Sequence, residues 1–154
     1  PALMRRLTRV TNIICRGELH QQCTARDTSL GEDEYLRIIY GKTACLTELA
    51  GEFGAVAGSP AQRAAAAAYG RACGMAFQIA DDVLNVTGTR EELGKNPNTD
   101  AERGKKTYPT FYGVEGARKL ADDCVTRAIG RLDTFGPSAD PLREIARYIT
   151  SRKN

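Results

Sequence analysis

A chain of 154 residues with 42% hydrophobic and 27% charged side chains is long enough to bury one core and has the make-up of a globular protein. The net charge of +3, with no long Lys/Arg run, gives nucleic-acid binding no footing, and no window approaches the ~18 apolar residues of a membrane helix. One histidine, His20, and five cysteines without a Cys-x-x-Cys pair set aside zinc clusters, triad hydrolase chemistry and a disulfide framework; reduced thiols in a cytoplasmic compartment fit better.

The start, Pro-Ala-Leu-Met-Arg-Arg, has no leading Met and reads as neither a signal peptide nor an expected natural initiation. Apolar residues then recur at the helical period almost throughout, with no hairpin signals. The spacing predicts a helix over 3–22, a polar break over 27–31, and a long helix over 32–57 carrying Leu36, Ile39, Ala44, Leu46, Leu49 and Ala50. Gly58-Ser59-Pro60 closes that helix and opens the next, with Ser59 as cap and Pro60 in the first turn. That helix runs over 61–86; Gly70 and Gly74 inside it suggest a closely packed neighbour.

Residues 89–106 form the longest irregular stretch, rich in Gly, Asn and Pro, and loops of that length in a compact domain are often functional. Thr107 resembles a cap with Pro109 in the first turn of a short helix. A further helix covers 113–131, a break covers 136–140, and 141–152 closes the chain. The fold expected is all-α, a bundle of six or seven helices without internal repeats.

Gly74 to Pro109 is the most informative stretch. Gln78, Asp81, Asp82 and Asn85 fall at helical spacing on an otherwise apolar helix, which predicts that they present together. Two close carboxylates repel by roughly 4 kcal/mol at ~4 Å in a medium of effective dielectric near 20, so solvent, a lysine or a cation must offset them. Oxygen-only ligands favour Mg²⁺, which keeps waters and bridges a few carboxylates to substrate phosphates. Lys42, between apolar Ile38-Ile39 and Ala44-Leu46, suits a phosphate oxygen, and Thr43 can add a hydroxyl donor. Lys95 and Lys105 sit on the long loop, where they could close over a bound anion. No general acid–base pair is visible, because Glu18 and Tyr35 stand isolated.

At these residues the chain resembles the trans-isoprenyl (polyprenyl) diphosphate synthases. Gly17-Glu18-Leu19-His20-Gln21 is similar to that family's Gly-Glu-hydrophobic-x-Gln segment, and Lys42-Thr43-Ala44 to its Lys-Thr-Ala motif. Phe77 to Asn85 resembles Phe-Gln-x-x-Asp-Asp-x-Leu-Asp, the second aspartate-rich motif. Gly94-Lys95 through Asp100, and Gly104 to Pro109, resemble the two lysine loops that follow. The likeness spans nearly the whole chain but only the C-terminal half of a family member.

What the resemblance implies is the C-terminal half of the isoprenoid synthase fold over residues 1–154, in enzymes that are usually dimeric. Such enzymes join an allylic diphosphate to isopentenyl diphosphate head to tail. Carried over position by position, Asp81, Asp82 and Asn85 would hold Mg²⁺, while Lys42, Thr43, Gln78, Lys95 and Lys105 would contact the allylic diphosphate or its metal shell. The implied mechanism is metal-assisted ionisation, with an apolar cavity sheltering the allylic cation.

Three departures stand out. Asn85 replaces the final Asp and removes a charge; Asn98 stands where Gly is usual, and Asn tolerates left-handed geometry. The first aspartate-rich motif and the isopentenyl-diphosphate residues have no counterpart here. The expectation is therefore part of a larger or two-chain enzyme, homo- or heterodimeric, inert until joined by its N-terminal half. A non-catalytic subunit and a class I terpene cyclase fragment are the alternatives.

Overall fold

The structure, a computed structural model, describes residues 2–27, 29–89 and 106–152. Its elements are α1 (Ala2–Cys23), α2 (Glu32–Ile39), a π-helical turn (Tyr40–Ala44), α3 (Cys45–Gly54), α4 (Pro60–Thr87), α5 (Tyr108–Gly130), a 3₁₀ segment (Asp133–Ala139) and α6 (Asp140–Ser151). No strand occurs among the described residues, so the all-α expectation holds.

α4 is the axis of the bundle, packed between α3 on one side and α5 on the other. Its start is built as the sequence implied. The Gln62 N–H donates to Ser59 Oγ at 3.2 Å and the Ser59 N–H donates to Gln62 Oε1 at 2.9 Å, with Pro60 at the first helical position. The α3–α4 crossing is closer than ordinary side chains permit. A Cβ added to Gly74 would lie 2.6 Å from Ala44 Cα, and one on Gly51 or Gly70 would overlap the facing backbone of Ala66 or Thr47. The main core joins α2, α4, α5 and α6 through Tyr35, Ile38, Ile79, Val83, Ala117, Val125 and Ile149. A smaller cluster of Val10, Cys45 and Leu49 seats α1 on α3, reinforced by Arg6 Nη2 against Glu52 Oε2 at 2.6 Å.

The long helix expected over 32–57 is a correction. It ends at Gly54 and is interrupted by the π turn at 40–44. The interruption coincides with a contact between helices: Gly17 of α1 lies against Gly41, where a Cβ on Gly17 would come 2.8 Å from the Gly41 carbonyl carbon. The widened turn takes up one extra residue there, and the Cys45 thiol donates to the Gly41 carbonyl at 3.0 Å. Within α5 the backbone breaks at Gly113 (φ 68°), which is where the sequence separates a short helix from a longer one.

Burial sorts the cysteines. Cys15 and Cys23 are exposed, whereas Cys45, Cys73 and Cys124 are buried, and burial pushes the Cys45 and Cys73 thiols up from their ordinary pKa. Two of the five thiols are therefore expected to react quickly with a maleimide in the native chain, and the other three only in denaturant. A third fast thiol would show that the α3–α4–α5 packing is not formed. No helix among the described residues is long and apolar enough to cross a membrane.

Candidate active site

The Gly17–Gly41 contact sets the first part of the site, because it brings the α1 residues Glu18 and Gln21 against the π turn. Lys42 Nζ donates to Gln21 Oε1 at 2.8 Å and pairs with Glu18 Oε2 at 3.4 Å. Glu18, isolated in the sequence, is thus a counter-ion of Lys42. The next residue, Thr43, reaches the other way and donates from Oγ1 to Gln78 Oε1 at 2.9 Å. The π turn ties α1 to α4 through two successive side chains. Such bulges recur at functional sites because they re-aim residues that a regular helix would misplace.

On α4 the tandem carboxylates diverge instead of acting as one face, since successive helical residues point about 100° apart. Asp81, with its side chain 45% exposed, lies 3.5 Å from Arg152 Nη2. Asp82 turns inward: its Oδ2 accepts the Tyr35 hydroxyl and, at 2.9 Å, the Tyr108 backbone N–H. Burial and the Asp82 charge hold the Tyr35 phenol well above its ordinary pKa, so it stays protonated and donates. Burial and Glu32 do the same to Tyr108, whose hydroxyl donates to Glu32 Oε1 at 3.0 Å. Asn85 is 3% exposed and already has a partner, which places it in the packed side of α4.

Lys95, Lys105 and Asn98 lie outside the described residues, so Lys42 is the one lysine of the expected three whose position is given. Its amine contacts Gln21 and Glu18, and its link to α4 runs through its neighbour Thr43. Sequence reasoning set Tyr35 aside as isolated, read Gln21 only as part of a family-like motif, and missed Arg152. A tyrosine donating across 47 positions leaves no local spacing to read, and Arg152 sits at the end of α6 among residues that look like an ordinary amphipathic helix.

Between α3, α4 and α6 lies a cavity of about 850 Å³, lined mainly by apolar groups and bordered by Thr43, Gly70, Gly74, Phe77, Ile145 and Arg152. The absent Cβ atoms of Gly70 and Gly74 keep the two helices close along this wall. Arg152, stacked over Phe77 in that wall and paired with Asp81, joins the apolar cavity to the carboxylate.

Asp81 and Asp82 are the carboxylate oxygens that a hard cation could use here. Asp81 presents a half-exposed carboxylate that already draws a cationic group, and Asp82 is an oriented carboxylate one residue on. Among the described residues no three His, Cys, Asp or Glu side chains group as a metal cage. A magnesium site built from two carboxylates would complete its shell with water and phosphate oxygens.

Residues 1–134 match the family model described as polyprenyl synthetase. The chain belongs to the polyprenyl synthetase family. Octaprenyl diphosphate synthase of Haemophilus influenzae is 34% identical over 146 residues, covering 94% of this chain and 43% of that protein. Geranylgeranyl pyrophosphate synthase 9 of Arabidopsis thaliana is 40% identical over 125 residues, covering 79% of this chain and 35% of its own length. The chain thus spans less than half the length of these relatives. Among solved structures, a polyprenyl synthase from Caulobacter crescentus, complexed with calcium and isoprenyl diphosphate, superposes with a TM-score of 0.93 at 28% identity, over 99% of this chain and 60% of that one. A decaprenyl diphosphate synthase from Rhodobacter capsulatus gives 0.89, also at 28% identity, over 99% and 60% of the two chains. Family and all-α fold agree with the resemblance read from the motifs.

Proposed function

We propose that this chain supplies one half of a prenyltransferase site, in which an allylic diphosphate is ionised and joined head to tail to isopentenyl diphosphate. The observation that carries the reading is the pairing of Asp81 with Arg152, which lines the apolar cavity and stacks there on Phe77. A charged head and a hydrocarbon tail can be accommodated side by side there. Asp81 and Asp82 would hold Mg²⁺, whereas Asn85, expected from the sequence as a third ligand, is buried in the packed side of α4 and is left out of the proposed set. The cation would supply neutralisation of charge on the departing diphosphate.

The surrounding residues have donors to spare. A lysine ammonium has three N–H donors, and Gln21 and Glu18 account for two at Lys42, leaving one for a phosphate oxygen. The Gln78 carbonyl is taken by Thr43, which leaves its amide N–H groups for the same anion. Lys95 and Lys105 would add charge from the loop. The cavity wall shelters an allylic cation because it offers little to attack it. Cys73, the thiol in that wall, is held protonated by burial and is a poor nucleophile. Pairing with an N-terminal half or a partner chain, as homo- or heterodimer, belongs to the same proposal.

The test is a chimera in which residues 1–154 replace the matching segment of the Haemophilus enzyme. Magnesium-dependent elongation of an allylic diphosphate is expected, and it should be lost on Asp81→Ala and sharply reduced on Lys42→Ala. A folded chimera whose activity ignores both substitutions would overturn the proposal and favour a non-catalytic subunit.

A further inference from the structure

We infer that Arg152 is a resident counter-ion of Asp81, one that a divalent cation must evict before it can occupy that carboxylate. The inference rests on the proposed metal role of Asp81. Three observations carry it. Arg152 Nη2 stands 3.5 Å from Asp81 Oδ1. The guanidinium lies over the Phe77 ring, 4.1 Å from its centroid. The Arg152 side chain is only 12% exposed, yet Nε and Nη2 have no hydrogen-bond acceptor among the described residues.

Buried guanidinium donors are normally satisfied, most often by a bidentate carboxylate. Here Asp81 meets one nitrogen at the long end of ion-pair distance, and the stacking on Phe77 supplies the rest of the hold. That is a restrained cation with unmet donors, a combination that makes it displaceable. A magnesium ion binds carboxylate oxygen at roughly 2.1 Å, so metal and guanidinium on the same carboxylate would be two positive charges within about 5 Å. Their repulsion in a partly dry site forces one to leave. Arg152 can move without unwinding α6, because its own backbone has already left the helix (ψ 149°). Phe77 and Asp81 are one turn apart on α4, so a single rigid helix presents both the stacking surface and the charge. Loading the cation site is thereby coupled to release of the end of α6 from the cavity edge.

Mn²⁺ binding to the chain, read by electron paramagnetic resonance without any diphosphate, tests this. Arg152→Gln is expected to tighten Mn²⁺ about fivefold to tenfold, because the competing charge is gone. Arg152→Lys, which keeps the charge, should remain near the wild-type affinity. Phe77→Leu should tighten binding by a smaller factor, since the guanidinium loses its stacking surface. Independently, the Arg152 Nε–H resonance should shift as Mg²⁺ is added, with the same midpoint as metal binding. Mn²⁺ binding that Asp81→Asn abolishes but Arg152→Gln leaves unchanged or weakens would overturn the counter-ion role alone. Absence of any binding sensitive to Asp81→Asn would overturn the metal reading and this inference with it.

Discussion

Asp82→Ala is expected to cost about 3–5 kcal/mol of stability, whereas Asp82→Asn costs roughly 1 kcal/mol and still lowers prenyl transfer by about 10²–10³-fold in the chimera. The two outcomes separate the structural and chemical duties of one carboxylate. Oδ2 accepts both the Tyr35 hydroxyl and the Tyr108 N–H, and both donor residues are buried, at 3% and 4% exposure. Truncation to alanine strands two donors away from water, each worth about 1.5–3 kcal/mol when bonded to a charged group. Asparagine keeps an oxygen in the same place and satisfies both, but it carries no charge for a cation. Tyr35→Phe is the control on the other side: it removes one donor, costs about 1 kcal/mol, and leaves the carboxylate charged. Denaturant midpoints read the first quantity and steady-state rates the second. If Asp82→Asn kept full activity while binding metal normally, Asp82 would be a fold residue and Asp81 alone would carry the metal.

This double duty marks the limit of what the sequence discloses. Helical periodicity, the Ser59-Pro60 start and the break at Gly113 are local signals, and the elements follow them closely. The Asp81-Asp82 pair is also a local signal, and two adjacent carboxylates on an apolar helix imply an offset from solvent, a lysine or a cation. What adjacency could not convey is direction. Spacing placed Gln78, Asp81, Asp82 and Asn85 together, but Tyr35 of α2 and Tyr108 of α5 capture Asp82 and Asn85 is buried, leaving Asp81 half-exposed beside Arg152. The π turn was likewise illegible, since it coincides with a glycine-on-glycine contact between Gly17 and Gly41, two positions far apart in the chain. Arg152 could be assigned only once α6 was seen to return to the end of α4. Residues whose role comes from a neighbour in sequence were readable, and those whose role comes from a neighbour in space were not.

Gly74→Ala is the second large effect, and it links packing to chemistry. A methyl at that position would sit 2.6 Å from Ala44 Cα and collide with the Thr47 hydroxyl, so α3 and the π turn must move outward from α4. Backbone on the receiving side cannot rotate away as a flexible side chain does, which puts the cost at about 2–3 kcal/mol for alanine and more for valine. Ala44 directly follows Thr43, so the same displacement pulls Thr43 Oγ1 off Gln78 Oε1 and shifts Lys42, its neighbour, relative to Asp81. Activity of the chimera should then fall by more than the loss of folded protein explains. Gly54→Ala is the matched control. Its Cβ would meet nothing within 4 Å, and it lies at the end of α3, so the substitution should be neutral or stabilise by up to about 1 kcal/mol. Thermal unfolding of the two variants should move in opposite directions or leave Gly54→Ala unshifted. Equal and small effects would mean that α3 and α4 do not cross as closely as the geometry of Gly70 and Gly74 demands, and the Thr43–Gln78 link between the π turn and α4 would lose its physical basis.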